Sequence, residues 1–546
     1  MKALRFNLDL LLVALVITAF VALASQRLGT VPVPEGDEAF TLQVPYEMLN
    51  HGQLALPMLR YLGGNIENVW HSYVPVYFVT LSGFHELFGF GLAQGRAFNL
   101  ITAALTLLMI YLIGRRLFDW RAGLVAVVML FGDPIFFERS RLLRDDYAAA
   151  AFALLAFYLY EMAEERNKTG LYLAAGLAAG AGVMSHTNIL YIIGAICLLI
   201  LMRQGWRAFS SKKIYIFGAS ALAVMAYEIV YDLIDYKNFL LQNRADEVHF
   251  RVLSSGGLWQ NLLEERLRYL KWYAGGLMFP GLPQTTLRIF QLLTIAAIIY
   301  LVLAFARGIR RGNLLGDPRA RLLVVTVVTV LFHALIVNHK RVFYLAHIVP
   351  WFGLAVGVML RDLMDRIGRL RTVQWPRARV VYGTAIIAGV LAMVGHTSLL
   401  VIQSRRYIAE VRKPNLASFA EFKAAIRDII PAGLCPVAVK NPSVWLAFPE
   451  KDRCFATIEN RIKDEAYADI DGKDYALVTR PNVAPEGADN AAGSYPLLGE
   501  MWNTPYGNLL IYYTGTDPNY LSIKPKRYEF FGDLGGYTSR DSGDRN

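Results

Sequence analysis

Apolar residues in this chain run in long blocks of about 16 to 23 positions, far longer than the alternation of a strand or the one-sided stripe of a surface helix. Blocks approaching the ~20 apolar residues that span hydrocarbon predict membrane crossings near 8–28, 95–114, 122–137, 147–161, 170–185, 189–204, 214–232, 285–305, 321–337, 342–360 and 380–402. The first block is long and lacks a small-x-small site before Gln26-Arg27, so it reads as a retained helix rather than a cleaved signal. The stretch 73–88, "YVPVYFVTLSGFHELF", is apolar but carries Pro75, His85 and Glu86. As a full span it would break the alternation of the loops, so it reads as re-entrant or interfacial; a twelfth span with a neighbour demoted is the alternative.

After residue 402 the pattern changes. Residues 403–546 hold short apolar strings, "PVAVK", "YALVTR" and "NLLIYYTG", between Pro, Gly, Asp and Asn turns, with an amphipathic helix at 416–430. The closing "YTSRDSGDRN" reads as a frayed end. The predicted fold class is an all-α polytopic membrane domain over 1–402, with about 11–12 transmembrane helices, followed by a small α/β domain over 403–546.

Composition agrees: 55% of the 546 residues are hydrophobic and 12% aromatic. A net charge of +11 would point a soluble protein to nucleic acid. Here the basic residues cluster in short loops between apolar blocks, at Arg115, Arg116 and Arg121, at Arg203 and Arg207, at Arg319 and Arg321, and at Arg361 and Arg366. That is the positive-inside pattern, so no nucleic-acid partner is expected. It places the N-terminus in the cytoplasm and the C-terminal domain outside. Cys435 and Cys454 fall in that outer domain, where a disulfide is possible; the sequence alone leaves their pairing open. Asn441-Pro442-Ser443 is barred as a glycosylation acceptor by its proline, which favours a bacterial envelope.

Candidate chemistry gathers on the outer face. Outer loop 1, at 29–72, contains "VPEGDEAF", with Asp37 and Glu38 at the hydrocarbon boundary, where a charge is costly unless paired or wetted. The simplest reading has Asp37 capping a helix that begins at Glu38. Outer loop 2, at 138–146, ends in Arg144-Asp145-Asp146, and an Arg141–Asp145 pair four residues apart is its simplest reading. Two acidic clusters on separate loops, each against apolar helices, read together as walls of one pocket. Lys340 and Arg341, followed by Tyr344 and His347, are a headgroup anchor or a phosphate clamp. Ser185-His186-Thr187-Asn188 reads as a polar turn. No His or Cys spacing suggests a metal, and no glycine loop suggests a nucleotide.

The order "GDEAF", "MLNHGQLALP", "VPVYF", Gln94-Gly95-Arg96, "GRRLFDWRAG" and "RSRLLRDD" resembles the GT-C superfamily of integral-membrane glycosyltransferases, in particular its protein O-mannosyltransferase and aminoarabinose lipid A transferase branches. The resemblance implies sugar transfer from a polyprenyl-phosphate donor to a cell-envelope acceptor at the outer face of the bacterial plasma membrane. It implies Asp37 as catalytic acid residue, Glu38 as its companion, and Asp145 or Asp146 as the acidic position of the second loop, Asp145 preferred. Where the family carries lysine-proline-proline, this chain reads His71-Ser72-Tyr73-Val74-Pro75. Contact with the donor phosphate then passes to His71, Arg60, Arg144 or the Lys340–Arg341 pair. No cofactor is expected to be required; a divalent ion shared between the loops is the less favoured arrangement. A transporter or flippase of lipid-linked saccharides is the alternative function, and a non-catalytic assembly subunit a third.

Overall fold

A computed structural model gives the fold; it describes residues 2–71, 75–244, 257–269, 284–312, 314–338, 340–370, scattered positions over 380–405, and 419–439, 442–451, 454–458, 474–479, 496–504, 506–514, 516–530 and 537–541. The expected crossing at 380–402 and the expected domain boundary at 402/403 therefore fall largely outside the described residues.

Helices occupy the apolar blocks: α1 (Lys2–Ala24), α2 (Gly36–His51), α3 (Pro75–Phe88), α4 (Leu92–Leu117), α5 (Trp120–Phe131), α6 (Pro134–Arg139), α7 (Asp146–Arg166), α8 (Thr169–Val183), α9 (Leu190–Gln204), α10 (Lys212–Ile234), α11 (Tyr236–Arg244), α12 (Gly257–Leu267), α13 (Gln284–Arg310), α14 (Pro318–Leu335) and α15 (Val349–Leu370). Among the described residues, five segments are long and apolar enough to cross a membrane on their own: Leu92–Leu117, Thr187–Ser210, Lys212–Ile234, Gln291–Arg310 and Pro318–Leu335. Helix α3, with 14 described residues, rises roughly 21 Å, less than the ~30 Å of hydrocarbon.

Two expected crossings differ in detail. The block 122–137 is not one helix: it breaks at Gly132-Asp133-Pro134, where the Asp133 carboxylate accepts the Phe136 N–H at 2.8 Å and Pro134 starts α6. The break turns the chain into outer loop 2. The block 342–360 opens as a 3-10 turn over Val342–His347, and its helix starts only at Val349. Elsewhere small residues bring backbones together. Gly176 and Gly180, four apart on α8, face α10 so closely that a Cβ at Gly176 would lie 2.2 Å from the Phe217 carbonyl oxygen.

The 26-residue α4 spans the bundle, roughly 39 Å at 1.5 Å per residue. At its far end, Arg115 pairs with Asp9, and nearby Arg361 with Asp119, Arg319 with Asp362 and Arg321 with Glu161. The arginines expected inside the cell thus gather at the end opposite the acidic loops.

The C-terminal region is a seven-stranded mixed sheet in the order β2-β1-β3-β5-β4-β6-β7, with a helix at Phe419–Ile429 on it. Its strands are β1 (Cys435–Val439), β2 (Ala456–Ile458), β3 (Tyr475–Thr479), β4 (Leu497–Thr504), β5 (Gly507–Tyr513), β6 (Lys526–Phe530) and β7 (Tyr537–Asp541). The three apolar strings predicted as strands are β1, β3 and β5. The expected frayed end begins instead with β7, antiparallel to β6, because residues 537–541 find an open sheet edge. Cys435 and Cys454 form a disulfide across 19 residues.

This sheet does not stand apart from outer loop 1. Leu42, Leu56, Trp70 and Phe78 share one apolar cluster with Ile426, Trp445 and Val478. Tyr46 meets Trp445 edge to face at 5.9 Å, Arg60 Nη2 donates to the Phe455 carbonyl at 2.8 Å, and Ser443 Oγ donates to the Pro34 carbonyl at 3.4 Å. Trp445 is fully buried in that seam. Trp445→Ala is expected to destabilise it by about 3–5 kcal/mol. Thermal unfolding of the detergent-solubilised chain tests this, and an unchanged midpoint would show that the seam contributes little.

Candidate functional site

Outer loop 1 is fixed from below by two arginines, Arg96 and Arg141. Helix α2 begins at Gly36, two residues earlier than a cap at Asp37 would place it: Glu35 is the N-cap, and its N–H donates to the Glu38 carboxylate at 3.0 Å. Glu38 is buried and takes a two-pronged ion pair from Arg96, Nε to Oε1 at 2.7 Å and Nη2 to Oε2 at 2.6 Å, with the Leu143 N–H as a further donor at 2.8 Å. Arg96 also donates to the Leu28 and Pro32 carbonyls. Arg141 reaches the carbonyls of Ala24, Gln26 and Val31, so the expected Arg141–Asp145 pair gives way to loop-to-loop bonding. Glu38, expected among the catalytic groups, has both oxygens committed to this lock.

Above the lock, the two acidic clusters meet through Arg144. Its Nη1 donates to Asp37 Oδ2 at 2.5 Å and its Nε to Asp146 Oδ2 at 2.8 Å, while its guanidinium lies 3.5 Å over the Phe343 ring. The Asp37 side chain remains about half exposed, at 51%. Asp145 is buried beside it at the start of α7, and burial pushes its carboxyl up to about 6 against the opposing pull of His186 and Arg144. Asp146 turns its other oxygen, Oδ1, to His347 Nε2 at 3.2 Å and His186 Nε2 at 3.8 Å. Tyr344 lines this side, 5.5 Å from the His186 ring.

Three groups expected at the donor phosphate are committed elsewhere. His71 bridges Asp232 and Asp235, each at 3.0 Å, tying outer loop 1 to the end of α10. Arg60 bonds the Pro57 and Phe455 carbonyls and so secures the outer domain. Lys340 Nζ caps the end of α14, donating to the carbonyls of His333, Ala334 and Val337 at 2.8–3.0 Å, and pairs with Glu265 at 3.1 Å. Each is a buried or half-buried group satisfied by carbonyls or carboxylates that its own fold supplies. Arg341 is exposed, and its carbonyl accepts Arg268 Nη1 at 3.1 Å.

Arg268 was not legible as a site residue. It is fully buried, pairs with Glu265 through Nε at 2.9 Å, lies 5.9 Å from the Tyr344 ring, and holds Nη2 buried without a hydrogen-bond acceptor. The only signal was the charged string "LLEERLRYL" in a segment read as external. His186 and His347 lie about 160 positions apart in the chain, so spacing gave no hint that they meet.

Beside the site, Met48, Leu54, Val69, Pro75, Val76, Val79, Met184 and Val224 with Tyr227 and Tyr231 line a largely apolar cavity of about 790 Å³. Met184, in its lining, is two residues before His186 in the chain.

At the foot of loop 2, burial pushes the Glu138 carboxyl from 4.5 up to about 8, with Glu35 adding to the shift and Arg139 and Arg141 opposing it. Below about pH 4.5 the group is protonated folded or unfolded; between there and about 8 only the unfolded chain releases the proton, so stability falls as pH rises through that window. Asp145 adds a similar fall between 3.8 and about 6. Glu138→Gln is therefore expected to flatten the pH dependence of the unfolding midpoint, with the gain clearest above about pH 6, where the Asp145 contribution is complete. Parallel curves for variant and wild type would show that Glu138 ionises freely.

Residues 71–231 match the family described as Dolichyl-phosphate-mannose-protein mannosyltransferase. No curated protein matches the sequence. Among solved structures, ArnT from Cupriavidus metallidurans bound to undecaprenyl phosphate superposes with a TM-score of 0.60 at 14% identity, over 95% of this chain and 99% of that one. The Archaeoglobus fulgidus oligosaccharyltransferase AglB, in complex with an inhibitory peptide and a dolichol-phosphate, gives 0.56 at 13% identity, over 94% of this chain and 75% of that one. The family match runs from the end of outer loop 1 through outer loop 2 to α10, and the superpositions extend over nearly the whole chain: the chain has the multi-pass membrane fold that these two structures share, the fold expected from the GT-C resemblance.

Proposed function

We propose that the chain is an inverting glycosyltransferase moving a hexosyl or pentosyl group from a polyprenyl-phosphate donor to a glycolipid, polysaccharide or protein of the cell envelope. The reaction takes place on the outer face of a bacterial plasma membrane, with the N-terminus cytoplasmic and the domain at 403–546 extracytoplasmic. The observation that carries this reading is Asp37: a half-exposed carboxylate, held by Arg144 where the two outer loops meet, beside an apolar cavity of a size to take isoprene units. That ArnT binds undecaprenyl phosphate and AglB a dolichol-phosphate on the same fold supports the donor class.

In this mechanism the acceptor hydroxyl attacks the anomeric carbon from the face opposite the phosphate. The new carbon–oxygen bond forms as the bond to the phosphate oxygen breaks, the hydroxyl proton passes to Asp37, and polyprenyl phosphate leaves with the electron pair. General-base assistance of this kind contributes typically 10²–10⁴-fold. Arg144 keeps Asp37 aimed, and Asp145 and Asp146 position Arg144 or bind sugar hydroxyls. The departing phosphate needs a cation at the moment its charge develops. Lys340 is already satisfied by backbone, so that duty passes to Arg268, whose buried Nη2 lacks an acceptor, with Arg341 at the rim. Sugar phosphate is a competent leaving group, so neither step calls for an added cofactor.

Asp37→Asn is expected to lower transfer by about 10²-fold or more while leaving binding of undecaprenyl phosphate intact, because the amide keeps the shape but cannot take the proton. Near-normal turnover would remove Asp37 from the reaction, and a flippase would tolerate the change in a transport assay. Arg268→Ala is expected to weaken undecaprenyl phosphate binding by about tenfold or more, the size of one charge-assisted contact. Unchanged affinity would return Arg268 to a packing role.

A further inference from the structure

Behind Arg144, three side chains from distant parts of the chain converge without bonding to one another in the usual way. Asp146 comes from the first turn of α7, His186 from the turn after α8, and His347 from the 3-10 turn before α15. One ligand atom from each lies within 4.8 Å of the other two. Asp146 and His347 are buried and His186 nearly so, with 13% of its side chain exposed.

The polar bookkeeping is unusual for a buried cluster. Asp146 Oδ1 and both ring nitrogens of His347 lack a hydrogen bond of acceptable geometry, although Oδ1 and Nε2 are only 3.2 Å apart. Buried polar atoms are nearly always satisfied, so the facing pair, Asp146 Oδ1 and His347 Nε2, calls for a shared partner. A hydroxyl or amide placed there could satisfy one lone pair; a cation satisfies both, with His347 Nδ1 pointing away from it. Around a tetrahedral ion with ligands at about 2.0–2.1 Å, donor atoms stand roughly 3.3 Å apart. The separations here, 3.2 Å from Asp146 to His347 and 3.8 Å from Asp146 to His186, need only small side-chain rotations to meet that spacing.

We propose that Asp146, His186 and His347 form a binding site for one divalent transition-metal ion of the Zn²⁺ type. Two imidazoles select against Mg²⁺ and Ca²⁺, which prefer all-oxygen shells, and favour zinc and its neighbours. The carboxylate is already oriented by an outer partner, since Asp146 Oδ2 accepts Arg144 Nε at 2.8 Å. His186 Nδ1 now accepts the Asn188 N–H at 3.2 Å. Ligation through Nε2 shifts the ring proton to Nδ1 and gives up that long backbone contact. Three protein ligands leave a fourth position open, the arrangement of an ion that takes water or an anionic oxygen, rather than of a closed structural site. The ion would also hold loop 2, the α8–α9 turn and the segment before α15 at one point. This inference rests on side-chain geometry alone and stands whether or not the chain transfers sugar.

The test is metal binding by the purified full-length chain, stripped with chelator and titrated with Zn²⁺ or Co²⁺ in detergent without donor or acceptor. Expected are about one tightly held ion per chain, tetrahedral Co²⁺ absorption in the visible range, and no displacement of Co²⁺ by Mg²⁺. His186→Ala is expected to weaken binding by tenfold or more, and His186→Ala with His347→Ala to abolish it. Asp235→Asn, in the separate His71 cluster, should leave it unchanged. A wild-type chain that binds no stoichiometric ion overturns the proposal without recourse to any variant. So does retention of the ion by the folded double variant, or its loss in Asp235→Asn.

Discussion

The architecture of the outer face depends on one buried ion pair, Glu38 with Arg96. A carboxylate and a guanidinium both removed from water are tolerated only when every polar atom is engaged. Here the two parallel bonds are joined by backbone N–H groups on one side and carbonyls on the other. Loss of either partner would strand a charge at a cost of about 3–5 kcal/mol. What the pair secures is geometry: a loop that leaves α1, a helix that starts at Gly36, and the N-terminal end of α4 are fixed to one another and to Leu143. Asp37, the residue before Glu38 in the first turn of α2, is thereby delivered to Arg144.

That division of labour between neighbours explains a pattern visible across the site. Adjacent acidic residues take different roles, one sunk into the scaffold with its charge paired, the other left half exposed as Asp37 is or shifted toward neutrality as Asp145 is. Glu38 and Asp37 divide this way in the first loop. In the second loop Asp146 is tied to Arg144 while Asp145, buried without a cap bond, is shifted toward neutrality. The arginines divide likewise. Arg96 and Arg141 spend their donors on backbone carbonyls, whereas Arg144 joins two side-chain acids and stacks on Phe343.

The helical blocks and three of the sheet strands were legible because hydrophobic period is a local property of sequence. The meeting of the two acidic loops was legible too, since like clusters on one face of a membrane have few places to go. The roles of individual cations were not. Lys340, His71 and Arg60 look like phosphate ligands by residue type, but each is consumed by a partner that only the fold brings near, such as the end of α14 or Asp232 and Asp235. Arg268 and the histidines at 186 and 347 failed in the opposite sense. Nothing in their neighbourhoods marks them, and their significance lies in contacts across more than 70 residues of chain. The break at Gly132-Asp133-Pro134 could have been read from its Asp-Pro helix start, but the apolar run hides it.

The bond from Ser443 to the Pro34 carbonyl joins positions 409 residues apart. During synthesis the first loop therefore emerges long before the strand-and-helix unit that seats it. The ribosome must finish almost the entire chain, and Cys435 and Cys454 must be oxidised, before Asp37 acquires its final surroundings. Maturation of the reacting end is in this way tied to completion of the polypeptide, and a truncated product would insert in the bilayer with its first loop unsupported.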